Sequence, residues 1–251
     1  MKLTVLGSGY FIPMENRNNS GYLLEIGGES LLLDTGSGSL RQLVKTGHSV
    51  WDISKIFYSH LHIDHFADIL PILFTRKYSK PEKGQGKLQI FGHNDLSKFI
   101  AEFEKIFGKW IVNEDYPYEV TSLEPGHYHF DKFDIKVYRG KHADQSLMYR
   151  FEDQSGRVFL YTGDTDMSDE LLNAASDVDL LITEFSSTNE NPVSGHLSPQ
   201  KINALLQKCR PKLTLLSHLT PETEKETSMS QIKVPSGCKV ELAEDFRQIE
   251  I

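Results

Sequence analysis

Three histidines and an aspartate crowd into six residues, His60-Leu61-His62-Ile63-Asp64-His65. Neutral imidazole and carboxylate are the groups that hold zinc, manganese or iron. Their position matters as much as their kind. Residues 55–58 read as a buried strand, so the cluster begins where a strand ends and its side chains emerge at a sheet edge. A turn there can aim the i and i+2 imidazoles at one point and leave Asp64 and His65 for a neighbouring point. One loop cannot complete two metal sites, so partners are required elsewhere. His142 follows a strand at 133–139, Asp164 follows one at 157–161, and His218 follows one at 212–216. Singly, each could be an ordinary loop residue. Their shared placement just beyond a strand makes the set far stronger than its members.

The elements that must carry these residues follow from local patterns. Residues 2–6, 20–26 and 30–33 read as strands, with a Gly27-Gly28 turn between the second and third. A short helix fits 39–46 and stops at Gly47; another fits 66 to about 78, where Pro71 should start or kink it. A strand at 88–91 precedes a helix near 95–107, with Phe99, Phe103, Ile106 and Phe107 spaced for one face. Further strands are expected near 133–139, 146–151, 157–161, 179–183, 212–216 and 238–242. Ser168 reads as the N-cap of a helix over 169–175. Ser198-Pro199 opens another, whose apolar stripe is Ile202, Leu205, Leu206 and Cys209. Strands outnumber helices, and the order suits an α+β architecture of two packed sheets with helices outside. No linker, repeat or low-complexity tract divides the 251 residues, so one domain over 1–251 is expected.

Composition narrows the function classes. A net charge of −8 argues against a role in gripping long nucleic acid through its phosphates. No apolar run is long enough to span a bilayer, and Met1-Lys2-Leu3-Thr4-Val5-Leu6-Gly7 lacks a signal-peptide pattern. A cytoplasmic location without membrane partners is the expectation. The two cysteines, Cys209 and Cys238, form no zinc spacing. His48, His93, His127 and His129 read as turn or strand-edge residues, the last two sharing one sheet face. Arg76, Lys77, Lys80, Lys83 and Lys87 surround Glu82 and carry a local charge of +4. That segment is read as a solvated loop, with a phosphate-attracting lip as the functional alternative.

The order His-x-His-x-Asp-His, then His, then Gly-Asp-Thr, then His resembles the metallo-β-lactamase superfamily over nearly the whole chain. Leu6-Gly7-Ser8-Gly9, Pro13, Arg17-Asn18, Leu33-Asp34-Thr35-Gly36, Glu184-Phe185 and Gly195-His196-Leu197-Ser198 resemble its ribonuclease Z-like branch. The resemblance implies an αββα sandwich of two mixed sheets with a dinuclear site at the sheet edge. It implies that His60, His62 and His142 bind one metal, that Asp64, His65 and His218 bind the second, and that Asp164 bridges them. Two divalent ions follow, zinc first, with manganese and iron chemically allowed. The oxygen-reducing branch has a Glu where His62 stands, so redox chemistry is not expected.

Paired metals about 3.5–4 Å apart can share a nucleophilic hydroxide and clamp a phosphoryl or acyl oxygen. The resemblance assigns Asp64, His196 and Glu184 to the catalytic set, His196 as general acid and Glu184 as its orienting carboxylate. Protonating a leaving alkoxide is a need of phosphodiester cleavage. Asp34 is expected to support a metal histidine through a hydrogen bond. Transfer-RNA processing relatives carry a long arm, usually between the third His and the bridging Asp. Here only 21 residues separate His142 from Asp164. A small phosphodiester, cyclic or nucleotide in kind, is therefore the expected substrate, and a homodimer is allowed. The tail Pro235-Ser236-Gly237-Cys238-Lys239-Val240 is similar to that of small cyclic phosphodiesterases, whose cysteine-rich loop is absent from Tyr10–Ser20. A lactonase or thioesterase with the same metals, a ribonuclease Z-type endonuclease, and a non-catalytic binding module are the competing readings.

Overall fold

The computed structural model describes residues 1–81 and 87–251. The first sheet draws on β1 (Lys2–Gly7), β2 (Gly21–Ile26), β3 (Glu29–Thr35), β4 (Ile53–Phe57), β5 (Leu88–Gly92) and β6 (Tyr118–Ser122). Helices α1 (Ser39–Lys45), α2 (Ile63–Phe66), α3 (Ile69–Tyr78) and α4 (Asp95–Ile111) fall between these strands. The second sheet draws on β7 (Gly126–His129), β8 (Phe133–Arg139), β9 (Leu147–Asp153) and β10 (Val158–Tyr161). After α5 (Asp169–Ala175) come β11 (Leu180–Glu184), α6 (Pro199–Cys209), β12 (Leu213–Ser217), α7 (Glu226–Met229) and β13 (Lys239–Leu242). Finally β14 (Gln248–Glu250) crosses back to pair with β1. The sheet orders are β14-β1-β2-β3-β4-β5-β6 and β13-β12-β11-β10-β9-β8-β7.

Strand alternation builds three apolar layers. Leu31, Leu33 and Phe57 point to the space between the sheets, where they meet Phe151, Phe159 and Tyr161. Their neighbours Leu32 and Ile56 point the other way, onto Phe66, Ile72 and Leu73 of α2 and α3. In the second sheet Leu160 and Leu181 turn outward onto Leu171 of α5 and Leu205 of α6. Strands buried on both faces read as continuous apolar runs, as Leu31-Leu32-Leu33 does. Each such side chain contributes about 1.5–3 kcal/mol by leaving water. The result is the expected αββα sandwich.

The layering puts strand ends where chemistry is needed. β3 and β4 are parallel, as are β10, β11 and β12. β8 runs the same way as β10, because both are antiparallel to β9. Their carboxyl ends deliver Asp34, His60, His142, Asp164, Glu184 and His218 to the two sheets' common rim.

Three expectations need correction. The helix expected over 66–78 is two helices, and α2 already contains Asp64 and His65. The Asp68 amide donates to Thr35 O, and the Asp68 carboxylate accepts from the Gly38 and Leu40 amides, so the chain turns there. Pro71, in the first turn of α3, gives up no helical bond. Second, α4 runs to Ile111 and buries Leu96, Ile100 and Ile111, whereas Ile106 is 65% exposed. Third, Arg76 is not part of a charged lip. It is buried, lies over the Trp51 ring and donates to Val50 O. Lys87 pairs with Glu119, while Glu82 and Lys83 lie outside the described residues. His127 and His129 do share a face of β7, with ring centroids 4.3 Å apart. No helix among the described residues is long and apolar enough to cross a membrane.

Candidate metal centre

Two sets of ligand-type side chains converge at this rim. His60, His62, His142 and Asp164 form one, and Asp64, His65 and His218 form the other. In the first, His62 Nδ1 lies 3.0 Å from His60 Nε2 and 3.1 Å from His142 Nε2. In the second, Asp64 Oδ2 lies 3.1 Å from His218 Nε2 and 3.7 Å from His65 Nε2. Asp164 stands between them. Its Oδ2 is 3.9 Å from His60 Nε2, 3.8 Å from His142 Nε2 and 3.5 Å from His218 Nε2, while Oδ1 is 3.4 Å from His65 Nε2.

This donor set fits divalent cations. Three imidazole nitrogens that face one another cannot all find a proton to share, but their lone pairs can share a cation. His65 Nε2 and Asp164 Oδ1 are buried without a hydrogen-bond partner among the described residues. Such atoms are costly unless something binds them. Burial also pushes His60 and His142 below the ordinary imidazole pKa, keeping them neutral and able to donate a lone pair. Burial opposes the charge on Asp64, but the His218 hydrogen bond and the His65 and His218 rings outweigh it and lower its pKa. Burial likewise opposes charge on Asp164, and the same two histidines hold its carboxyl well below the usual carboxylate range.

The backbone is shaped for this convergence. Asp34 and His218 both have positive φ, 53° and 54°, which Asp and His tolerate better than most residues. Gly163, with φ 54°, lets the chain turn into Asp164; a Cβ there would lie 2.4 Å from Ser59 Cβ. Gly36 passes so close to α2 that a Cβ would lie 2.0 Å from Asp64 O.

Asp34 anchors the centre from below. Its Oδ2 accepts from His65 Nδ1 at 2.7 Å, Ser59 Oγ at 2.6 Å and the Tyr161 hydroxyl at 2.5 Å, and its Oδ1 accepts from Ser59 N at 2.7 Å. The carboxylate thus keeps the His65 proton on Nδ1 and turns Nε2 toward Asp64 and Asp164. Ser59 and Tyr161 are partners that sequence reasoning did not identify. Tyr161 is the last residue of β10, three residues before Asp164.

Beside the two sets stands a hydrogen-bonded triad. His196 Nδ1 is 2.9 Å from Glu184 Oε1 and 2.8 Å from Ser186 Oγ, and Ser186 Oγ donates to Glu184 Oε2. Burial works against a proton on His196, but the Glu184 hydrogen bond and charge overcome it and raise the pKa. The His196 ring lies 4.6 Å from the His142 ring and stacks at 6.2 Å on that of His218. Ser186 is the missed member. Its two-residue offset from Glu184 was the available signal.

Comparison with known proteins adds four findings. A family model described as "Anti-Pycsar protein Apyc1" matches residues 1–234. The probable metallo-hydrolase YhfI of Bacillus subtilis (strain 168) is 31% identical over 224 residues, covering 87% of each chain. The crystal structure of that metallo-β-lactamase fold protein aligns with a TM-score of 0.81 at 24% identity, over 99% of both chains. Human tRNase Z, short form, aligns at 0.79 and 25% identity, over 100% of this chain and 99% of that one.

Proposed function

The chain belongs to the family of that matching model and to the ribonuclease Z-like branch of the metallo-β-lactamase superfamily, and from that premise we propose that this metal-dependent hydrolase is a phosphodiesterase acting on a small phosphodiester, cyclic or nucleotide in kind. In this reading His60, His62 and His142 hold one divalent ion, and Asp64, His65 and His218 hold the second. Asp164 spans both, and zinc is the ion that the imidazole-rich donors favour. When bound, such ions polarise a phosphoryl oxygen and acidify water. The remaining steps belong to the chain.

The observation that carries the proposal is the Glu184–Ser186–His196 triad beside the ligand sets. Breaking a P–O bond to an alkyl or ribosyl oxygen expels a strongly basic alkoxide, which needs a proton as it leaves. His196 holds that proton on its outward face while Glu184 binds Nδ1, and the ring touches ligands of both ion positions. Asp64 belongs to the catalytic set through its hold on His218, which also stacks on His196. The interval from His142 to Asp164 supports a small substrate. Its residues are taken up by a short turn, β9, β10 and the hairpin between them, which leaves no RNA-gripping arm. The net charge of −8 points the same way.

The test is a leaving-group comparison. His196→Ala should slow metal-replete cleavage of an alkyl-leaving phosphodiester by roughly 10²–10⁴-fold, the usual worth of a general acid. The loss on a p-nitrophenyl diester should be much smaller, because nitrophenolate leaves without help. Equal losses on both would remove the acid role. Turnover of lactones or thioesters with none of either phosphodiester would overturn the substrate class.

A further inference from the structure

The outer face of the second sheet carries a cluster that the rim does not use. β7 is the edge strand of that sheet and pairs with β8. His127 and His129 share its outward face, because Tyr128 between them turns toward the core between the sheets. Their ring centroids lie 4.3 Å apart, with the planes inclined at 48°. The register sets His129 opposite Asp134 on β8, and His129 Nδ1 lies 2.7 Å from Asp134 Oδ1. The two imidazoles and the carboxylate each bring a donor atom within 4.8 Å of the others. β8 reaches the rim at its carboxyl end, Arg139, whereas Asp134 stands near its start. At roughly 3.3 Å per residue the two places are separated by about 16 Å along the strand.

The charge around this cluster favours a cation. Glu152 on β9 stands directly opposite Asp134, on the same face. Like charges opposed across a sheet destabilise it. The basic side chains of the next row are engaged elsewhere. Lys136 Nζ lies over the Tyr138 ring at 5.1 Å, and Arg150 donates to Ala174 O and Ser176 O. Among the described residues, Asp134 pairs with His129 and with no lysine or arginine, and Glu152 pairs with neither. The donors are held by strand pairing, not by a loop. The Asp134 carboxylate keeps a proton on His129 Nδ1 and leaves Nε2 with its lone pair, the arrangement that commonly backs a metal-bound imidazole.

We propose that His127 and His129 form a mononuclear site for a divalent transition ion, separate from the rim, with Asp134 orienting the His129 ring. Two imidazoles select zinc, copper or nickel over magnesium and calcium, which prefer oxygen. Water completes the coordination, because both rings are exposed. An ion there staples the edge strand β7 in place through side chains two residues apart, and Asp134 ties that staple to β8.

The experiment counts zinc on metal-replete protein dialysed against a series of Zn2+ concentrations. The wild type should hold one more ion per chain than the double variant His127→Gln, His129→Gln. That difference does not depend on how many ions the rim holds or on what the rim hydrolyses. Both proteins should keep the same hydrolytic activity and melting curve at low zinc. Asp134→Asn should retain the extra ion with its affinity lowered about 10- to 100-fold, the usual effect of removing the group behind a metal-bound histidine. Zinc should also slow amide exchange across β7 in the wild type and leave the double variant unchanged. Equal zinc content in the wild type and double variant, or filling only at millimolar zinc as scattered surface histidines give, would overturn the site. So would an Asp134→Asn affinity equal to that of the wild type, or β7 exchange in the wild type that ignores zinc.

Discussion

Replacing Asp34 by Asn removes a charge from the foot of the centre and changes almost nothing else. The side chains are the same shape, and Asn tolerates the φ of 53° at this position as well as Asp does. The hydrogen bonds cannot survive intact. Asp34 accepts four donors, three on Oδ2 and one on Oδ1. If the new amide nitrogen takes the Oδ1 position, it faces the Ser59 amide N–H, which cannot turn away. If it takes the Oδ2 position, the Ser59 and Tyr161 hydroxyls can rotate, but His65 must present a bare Nδ1. Its proton then moves to Nε2, the atom that faces Asp64 and Asp164. The first outcome leaves a buried donor unsatisfied, at about 1–3 kcal/mol. For a chain of this size that lowers Tm by roughly 2–12 °C. The second weakens metal binding about 10- to 100-fold, as loss of a supporting hydrogen bond commonly does. Chelator-competition titration and a thermal melt, run on the same Asp34→Asn sample, separate the two. Affinity within about twofold and Tm within about 1 °C of wild type, well inside the usual effect of a buried change, would refute the account of Asp34 as the group that sets the His65 proton.

Other perturbations follow from the same geometry. Glu184→Gln should reproduce the direction of His196→Ala, costing far more with an alkyl-leaving ester than with a nitrophenyl one, because the amide cannot sustain the imidazolium; parity between the two esters would detach Glu184 from proton transfer. Gly36→Ala should destabilise the fold by roughly 1–3 kcal/mol, since its Cβ meets the Asp64 carbonyl; an unchanged melting curve would contradict that contact. Arg76→Ala should cost roughly 2–4 kcal/mol of stability through lost packing on Trp51 while leaving phosphodiester kcat/KM unchanged; a KM rise with intact stability would return Arg76 to a substrate edge. Metal at one hundred times its Kd should stabilise the chain by about 2.7 kcal/mol over the chelated form, visible as a higher Tm.

The candidate site was unusually legible, and the reason is topological. Ligand-type residues such as His60, Asp164 and His218 sit one to three residues past apolar strands, and such strands are among the plainest patterns in a sequence. What alternation cannot reveal is where a capping interaction overrides helix propensity. Asp68 does so by capturing the Gly38 and Leu40 amides, and the break between α2 and α3 was invisible for that reason. Short edge strands were also missed. β6 and β7 are half exposed, and β14 has only three residues, so none carries enough apolar period to be read. Arg76 shows the opposite error. Its charge suggested solvent, whereas its long stem and flat head suit a buried place on Trp51.

The two ligand sets draw on both sheets, and that governs when they can form. Asp64 and His218 lie 154 positions apart, and the contact between them closes only after β12 has docked beside β11. His60, His62 and His65 are neighbours in sequence and can gather early, but a pair of histidines without their distant partners holds an ion weakly. Ion uptake would therefore be a late event for a growing or refolding chain, paced by contacts between residues far apart in sequence. Ions held there would act as clasps between the two halves of the sandwich. Their exchange would then report opening of the sheets against each other, which would make metal release a clock for the lifetime of the folded state.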